Sequence, residues 1–178
     1  EHQAGRKMSG YKAVITGASK GIGANLAVRL LDRGYKVIAI DRETTTLSHE
    51  NLQLIEADLL DPAAVAHVAS TLAADSGITH LIHNAGLIWP NLLEDAATEH
   101  IAGLAQLHLG SALQLMQAVL PQMKAANFGR VMFNSSRAAL GVPTRTAYSA
   151  TKAAMIGMAR TWALELAPHG ITVNVIAP

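Results

Sequence analysis

Short, continuously apolar runs alternate along this chain with longer stretches whose apolar positions recur every third or fourth residue. The first run, over 11–16, centres on Ala13, Val14 and Ile15. After a glycine-rich turn, Ile22, Leu26, Ala27, Leu30 and Leu31 return at helical spacing, and Gly34 suits the stop. Further runs over 37–40 and 52–57 close on Asp41 and Asp58 respectively. Pro62 opens a helix reaching about Ser76. The pattern then predicts strands over 80–84, 130–134 and 171–176. Between them it predicts a long helical region over 97–126 and a helix over 148–167.

Strands that are apolar throughout, rather than at every second position, are buried on both faces. Alternation with helices makes the sheet parallel. The pattern therefore predicts an α/β chain: a doubly wound parallel sheet of the Rossmann type in three layers, αβα. No repeat or interdomain linker interrupts it, so residues 8–178 read as a single domain. Residues 1–7 are polar and precede Met8, the expected native start, with no apolar segment that would make them a signal peptide. The sixth strand runs almost to Pro178. An open sheet ending there would leave an apolar edge bare, so the chain is expected to be truncated after that strand.

Composition narrows the function classes. The 178 residues are 50% hydrophobic and 15% charged, with a net charge of +1. That balance offers no electrostatic footprint for nucleic acid or an anionic membrane. There is no cysteine, hence no disulfide framework and no thiolate metal site, as in a reducing cytoplasm. No apolar run approaches the roughly 18 residues of a membrane span.

Two strings carry the chemistry. Thr16-Gly17-Ala18-Ser19-Lys20-Gly21-Ile22-Gly23 spells T-G-x-x-x-G-I-G between a strand and a helix. Bare backbone at a helix N-terminus is what a pyrophosphate needs. Asp41 follows at the end of the second strand. There a carboxylate can accept from both hydroxyls of an adenosine ribose and repel a 2′-phosphate, which favours NAD over NADP. Arg42 could hold such a phosphate, but it reads as pointing to solvent. Asp58, at the next strand end, is either an acid of the following helix start or a contact to the adenine amine. The second string, Tyr148-Ser149-Ala150-Thr151-Lys152, sets a phenol and an ammonium on one helix face. A free phenol is a poor base at neutral pH, and a neighbouring cation favours the phenolate.

With these strings, His83-Asn84-Ala85-Gly86, Asn134-Ser135-Ser136 and the segment Val173 to Pro178, the chain resembles the short-chain dehydrogenase/reductase family from Tyr11 onward. The resemblance implies hydride transfer between NAD(P) and an alcohol or ketone. Tyr148 would be the general acid/base, Lys152 would hold the nicotinamide ribose, and Ser136 would bind the substrate oxygen. It also implies a cofactor cradle of Gly17, Ser19, Gly21, Ile22, Gly23, Asp41, Asp58, Leu59, Asn84, Ala85 and Gly86, together with Tyr148 and Lys152. Ser135 has the family's usual distance from the tyrosine. Ser136 has its place at the strand end and is preferred.

The chain departs from the family at two histidines. His108 stands where the family carries an asparagine that holds a water in a proton relay. Imidazole can also donate and accept, so His108 joins the catalytic candidates, the alternative being a histidine without a catalytic part. His83 replaces the first asparagine of N-N-A-G and reads as structural. His80 and His83 have metal-ligand spacing but lie on opposite strand faces, so no metal is expected. A cofactor-binding regulator without turnover is the competing reading. The segments around Trp89, Leu92, Leu93 and 140–145 suggest a partly apolar substrate pocket. The link from Asp41 to Leu52 is short and leaves little room for a helix between strands two and three. Finally, the 97–126 and 148–167 helices carry apolar residues beyond one stripe. Like the family resemblance, this predicts a homodimer or homotetramer through them.

Overall fold

The computed structural model describes residues 10–178; Met8 and residues 1–7 lie outside the described residues. Six strands, β1 (Lys12–Thr16), β2 (Lys36–Asp41), β3 (Leu52–Glu56), β4 (Ile78–His83), β5 (Gly129–Asn134) and β6 (Ile171–Ile176), form one sheet in the order β3-β2-β1-β4-β5-β6. Every pairing is parallel. The strand order reverses between β1 and β4, the place where open α/β sheets bind ligands beyond their strand ends.

The helices are α1 (Gly21–Asp32), α2 (Pro62–Ala74), α3 (Thr98–Ala105), α4 (Ser111–Ala125) and α5 (Thr146–Leu166). Alternate residues of each apolar run serve opposite faces. Val14, Ile38, Ile40, Leu81, Val131 and Phe133 pack toward α2, α4 and α5. Ala13, Ile15, Val37, Ala39 and Ile82 pack toward α1. The strands look continuously apolar because both faces are covered near the centre of the sheet. As expected, residues 42–51 cross from β2 to β3 without a helix.

One expectation gains a detail and a second needs correction. The helical region expected over 97–126 runs without a gap from Thr98 to Ala125, and Gln106–Gly110 within it winds into a π turn between α3 and α4. The hydroxyl of Ser111 donates to the Leu107 carbonyl at 2.6 Å, and His83 Nε2 lies 3.1 Å from the same oxygen. Side chains thus take up a carbonyl in the disturbed ladder, as wider turns of this kind require. Second, much of the apolar circumference assigned to association is consumed by the chain's own core. Leu104, Leu107, Leu115, Met116, Val119, Met155 and Leu166 are all buried. Ile101, Leu113 and Leu164 remain on the outer faces, the last 81% exposed.

Candidate active site

The turn after β1 and the segment after β4 meet across the point of strand reversal. Thr16 is the hub. Its hydroxyl oxygen, fully buried, accepts from the backbone N–H groups of Asn84 and Ala85, both at 3.0 Å. Asn84 Nδ2 in turn donates to the Gly17 carbonyl at 2.9 Å. These bonds draw the two segments so close that a Cβ on Gly17 would stand 2.8 Å from Ala85 Cα, and one on Gly23 would collide with the Gly17 carbonyl oxygen. Only glycine fits the contact at either place.

An open groove runs from this junction along the strand ends. It is lined by Gly17, Lys20, Asp41, Arg42, Glu43, Asp58, Leu59, Asn84, Ala85, Gly86 and Leu107, among others. Thus Gly17, Asp41, Asp58, Leu59, Asn84, Ala85 and Gly86 come together as their sequence pattern suggests. Gly21, Ile22 and Gly23 form the first turn of α1, whose N-cap Lys20 makes no side-chain cap bond and which carries no acidic residue there. Ser19 Oγ is buried without a hydrogen-bond partner. An uncapped helix N-terminus beside a bare turn fits a pyrophosphate.

The Asp41 carboxylate is oriented by backbone N–H groups, from Ser19 at 2.9 Å and Glu43 at 3.1 Å. Burial alone would raise this carboxyl, but the hydrogen bonds from Ser19 and Glu43 outweigh it and hold it below the usual carboxylate range. Arg42 is exposed, with its Nε 3.8 Å from the Glu43 carboxylate. Glu43 also pairs with Lys20 at 3.0 Å, so the cations at this end of the groove already have an acidic neighbour. Asp58 accepts from Leu60 N–H at 2.9 Å, whereas the cap of α2 is Asp61, which accepts from Ala63 N–H at 2.9 Å. The two alternatives for Asp58 divide accordingly: it lines the groove, and Asp61 starts the helix.

Beside Gly86, α5 presents Lys152 buried and Tyr148 half-buried. Lys152 Nζ donates to the Asn134 carbonyl at 2.7 Å and lies 5.5 Å from the Tyr148 ring centroid. Burial pushes the Lys152 ammonium down to about 8. The two serines separate cleanly. Ser135 Oγ is buried and donates to the Lys152 backbone carbonyl at 2.8 Å, bracing α5 against β5. Ser136 caps the turn Arg137–Leu140 by accepting from Ala138 N–H at 3.1 Å, which leaves its own hydroxyl proton available.

His108, fully buried in the π turn, packs its ring edge-on to Tyr148 with centroids 5.7 Å apart. Its Nδ1 lies 2.8 Å from Thr151 Oγ1, and its Nε2 has no hydrogen-bond partner. Burial, then the neighbouring Lys152 and His83, push the imidazole down to about 2, so it is neutral. His83 bridges Thr16 Oγ1 at 3.0 Å and the Leu107 carbonyl at 3.1 Å; burial and then Lys152 lower it to about 3. His80 sits on the opposite face among Tyr11, Tyr35 and Phe128. No group of three or more potential metal ligands occurs among the described residues. Among the described residues, no helix is long and apolar enough to cross a membrane.

Sequence reasoning missed Thr16, Asn134 and Thr151. Thr16 and Asn134 opened motifs already quoted, but their part lies in backbone contacts across the sheet. Thr151 carried no signal in one dimension, because its partner is 43 residues away.

A family model described as short chain dehydrogenase matches residues 11–178. The chain is 34% identical over 182 residues to the 3-oxoacyl-(acyl-carrier-protein) reductase FabG of Escherichia coli (strain K12), covering 95% of this chain and 72% of that protein. A solved structure from Beutenbergia cavernae with bound NADP at low occupancy superposes with a TM-score of 0.87 at 29% identity, covering 97% of this chain and 73% of the other. NAD+-bound xylitol dehydrogenase gives a TM-score of 0.83 at 27% identity, covering 97% and 71% respectively.

Proposed function

The chain belongs to the short chain dehydrogenase family, and on that footing we propose that it is an oxidoreductase acting on an alcohol/ketone pair with NAD as its preferred cofactor. The observation that carries this reading is Lys152, whose Nζ lies 5.5 Å from the Tyr148 ring centroid and 3.5 Å from where a Cβ on Gly86 would stand, beside the groove that Gly86 and Asp41 both line. When bound, the nicotinamide supplies or takes the hydride. Tyr148 gives or takes the proton at the substrate oxygen, and the Ser136 hydroxyl donates to that oxygen. Lys152, held by the Asn134 carbonyl, sets positive charge where negative charge builds on the phenol oxygen. Lys152 is also the group that would hold the nicotinamide ribose. His108 belongs to the same proton network, with one ring nitrogen unpartnered on the Lys152 side.

The cofactor preference rests on charge. Asp41 stands ready to accept from ribose hydroxyls. Lys20 and Arg42, the cations that could meet a 2′-phosphate, share Glu43. The relatives include a protein solved with NADP, so the point needs direct measurement. The test follows reduction of NAD+ and NADP+ against a panel of alcohols, with wild type and Asp41→Ala. NAD+ should be preferred, and Asp41→Ala should narrow the gap by removing repulsion. A wild-type preference for NADP+ would overturn the assignment. Cofactor binding without turnover on any substrate would instead make the protein a dinucleotide-binding regulator.

A further inference from the structure

Two threonine–histidine pairs stand in this site, and their surroundings give the two imidazoles opposite polarity. A hydroxyl has one proton to give, so its other neighbours decide how it treats a ring nitrogen. Thr16 Oγ1 already accepts from two backbone N–H groups, at Asn84 and Ala85. Its proton is therefore free to go to His83 Nδ1, 3.0 Å away. That makes His83 the Nε2–H form, which donates to the Leu107 carbonyl at 3.1 Å.

Thr151 is the reverse case. Its hydroxyl oxygen lies 2.9 Å from the Ala147 carbonyl and 3.1 Å from the Tyr148 carbonyl, and both can only accept. The proton of Thr151 goes to them, and His108 Nδ1, 2.8 Å away, must donate. His108 Nε2 is then a bare lone pair. It is buried and unpartnered, and it lies 3.2 Å from where a Gly86 Cβ would be, with Lys152 Nζ 3.5 Å from the same point. A lone pair facing an ammonium is favourable, whereas an N–H facing one is not. The groups around His108 agree on this. Lys152 is a donor only, His83 is neutral, and Tyr148 offers its ring.

We propose that Thr151 is a positioning residue that holds His108 in the Nδ1–H tautomer, so that Nε2 faces Lys152 as an acceptor in the proton network of the reaction. The catalytic part of this rests on the oxidoreductase reading above; the tautomer does not. The buried pair thereby gives the network a direction. A donor on the Lys152 side can give a hydrogen bond to His108 Nε2 while the imidazole stays neutral, and the Thr151 hydroxyl stops a competing N–H from being placed there.

The test labels the histidines of the full chain with ¹⁵N and reads, at neutral pH, which ring nitrogen carries hydrogen. His108 should be Nδ1–H and His83 Nε2–H, each serving as the comparator for the other. Thr151→Val should shift His108 toward Nε2–H, leave His83 unchanged, and lower kcat by about two- to tenfold, the equivalent of one neutral hydrogen bond. Thr151→Ser should restore both. In a His108→Ala background, Thr151→Val should cost nothing further. Nε2–H at His108 in the wild-type chain would overturn the proposal without any variant. So would Thr151→Val leaving the tautomer in place, or additive losses in the double mutant. The spectra require no turnover. A chain inactive on every substrate would therefore refute the proposed reaction while the tautomer measurement still decides this inference.

Discussion

Tyr148 is the residue on which the proposed chemistry turns, because it alone near the groove end offers a phenol oxygen to a substrate. Tyr148→Phe keeps the ring against His108 and deletes the oxygen. General acid/base groups are worth about 10²–10⁴-fold, so turnover should fall by that factor while dinucleotide binding, followed by fluorescence, persists. The buried histidines make a second prediction at the same scale. His83 and His108 are depressed to about 3 and about 2, against 6.5 unfolded, and His80 to about 4. Below 6.5 the unfolded chain binds protons that the folded chain refuses, so stability is lost as pH falls from 6.5 toward those values. Each such histidine contributes up to about 1.4 kcal/mol per pH unit in that window. His83→Asn should flatten the acid limb of stability measured by urea unfolding between pH 6.5 and 4. An unchanged slope would show that His83 is not refused its proton in the fold.

Among the elements, the β1–α1 turn is the least tolerant of change. On Gly23 a Cβ would meet the Gly17 carbonyl oxygen, which is backbone and cannot swing away. Gly23→Ala should cost about 3 kcal/mol or more in urea unfolding and abolish dinucleotide binding. Gly21 has φ +58° but open space around it, so Gly21→Ala should cost only about 1 kcal/mol. Equal losses at the two positions would sink this account of the turn. Six strands, α1, α2, α5 and the helix-free link 42–51 were legible in the sequence, because a buried parallel sheet writes itself as apolar runs with helical spacing between them. The π turn at Gln106–Gly110 was not. Its apolar spacing continues through Leu104, Leu107 and Leu109, and the Leu107 carbonyl within it is taken up by His83 and Ser111, partners that local spacing does not record. For the same reason Asp41, Tyr148 and Lys152 were readable from motif position, while the partner of His108 was not. A hydrogen bond between α5 and the π turn leaves no mark on local spacing.

For the whole molecule, association is the open quantity. After the core has taken its share, Ile101, Leu113 and Leu164 still face outward on the helical layer. A homo-oligomer through α4 and α5 should sediment above monomer mass at micromolar concentration, and Leu164→Glu should shift it toward monomer. A wild-type chain that sediments as a monomer would refute this. The strand order carries one more consequence, for how the chain reaches its fold. β1 pairs with β4, and Lys12 with Ile78, across the intervening β2, β3 and α2. Neither hairpins nor neighbouring segments can start that pairing, and closing so long a loop costs entropy before any contact repays it. Thr16, Asn84 and Ala85, which shape the turn beneath the groove, face one another only once that seam has zipped. Refolding from urea should therefore be slow for a chain of this size. Added dinucleotide should leave the refolding rate unaltered and slow unfolding instead, because its cradle is assembled last and comes apart first.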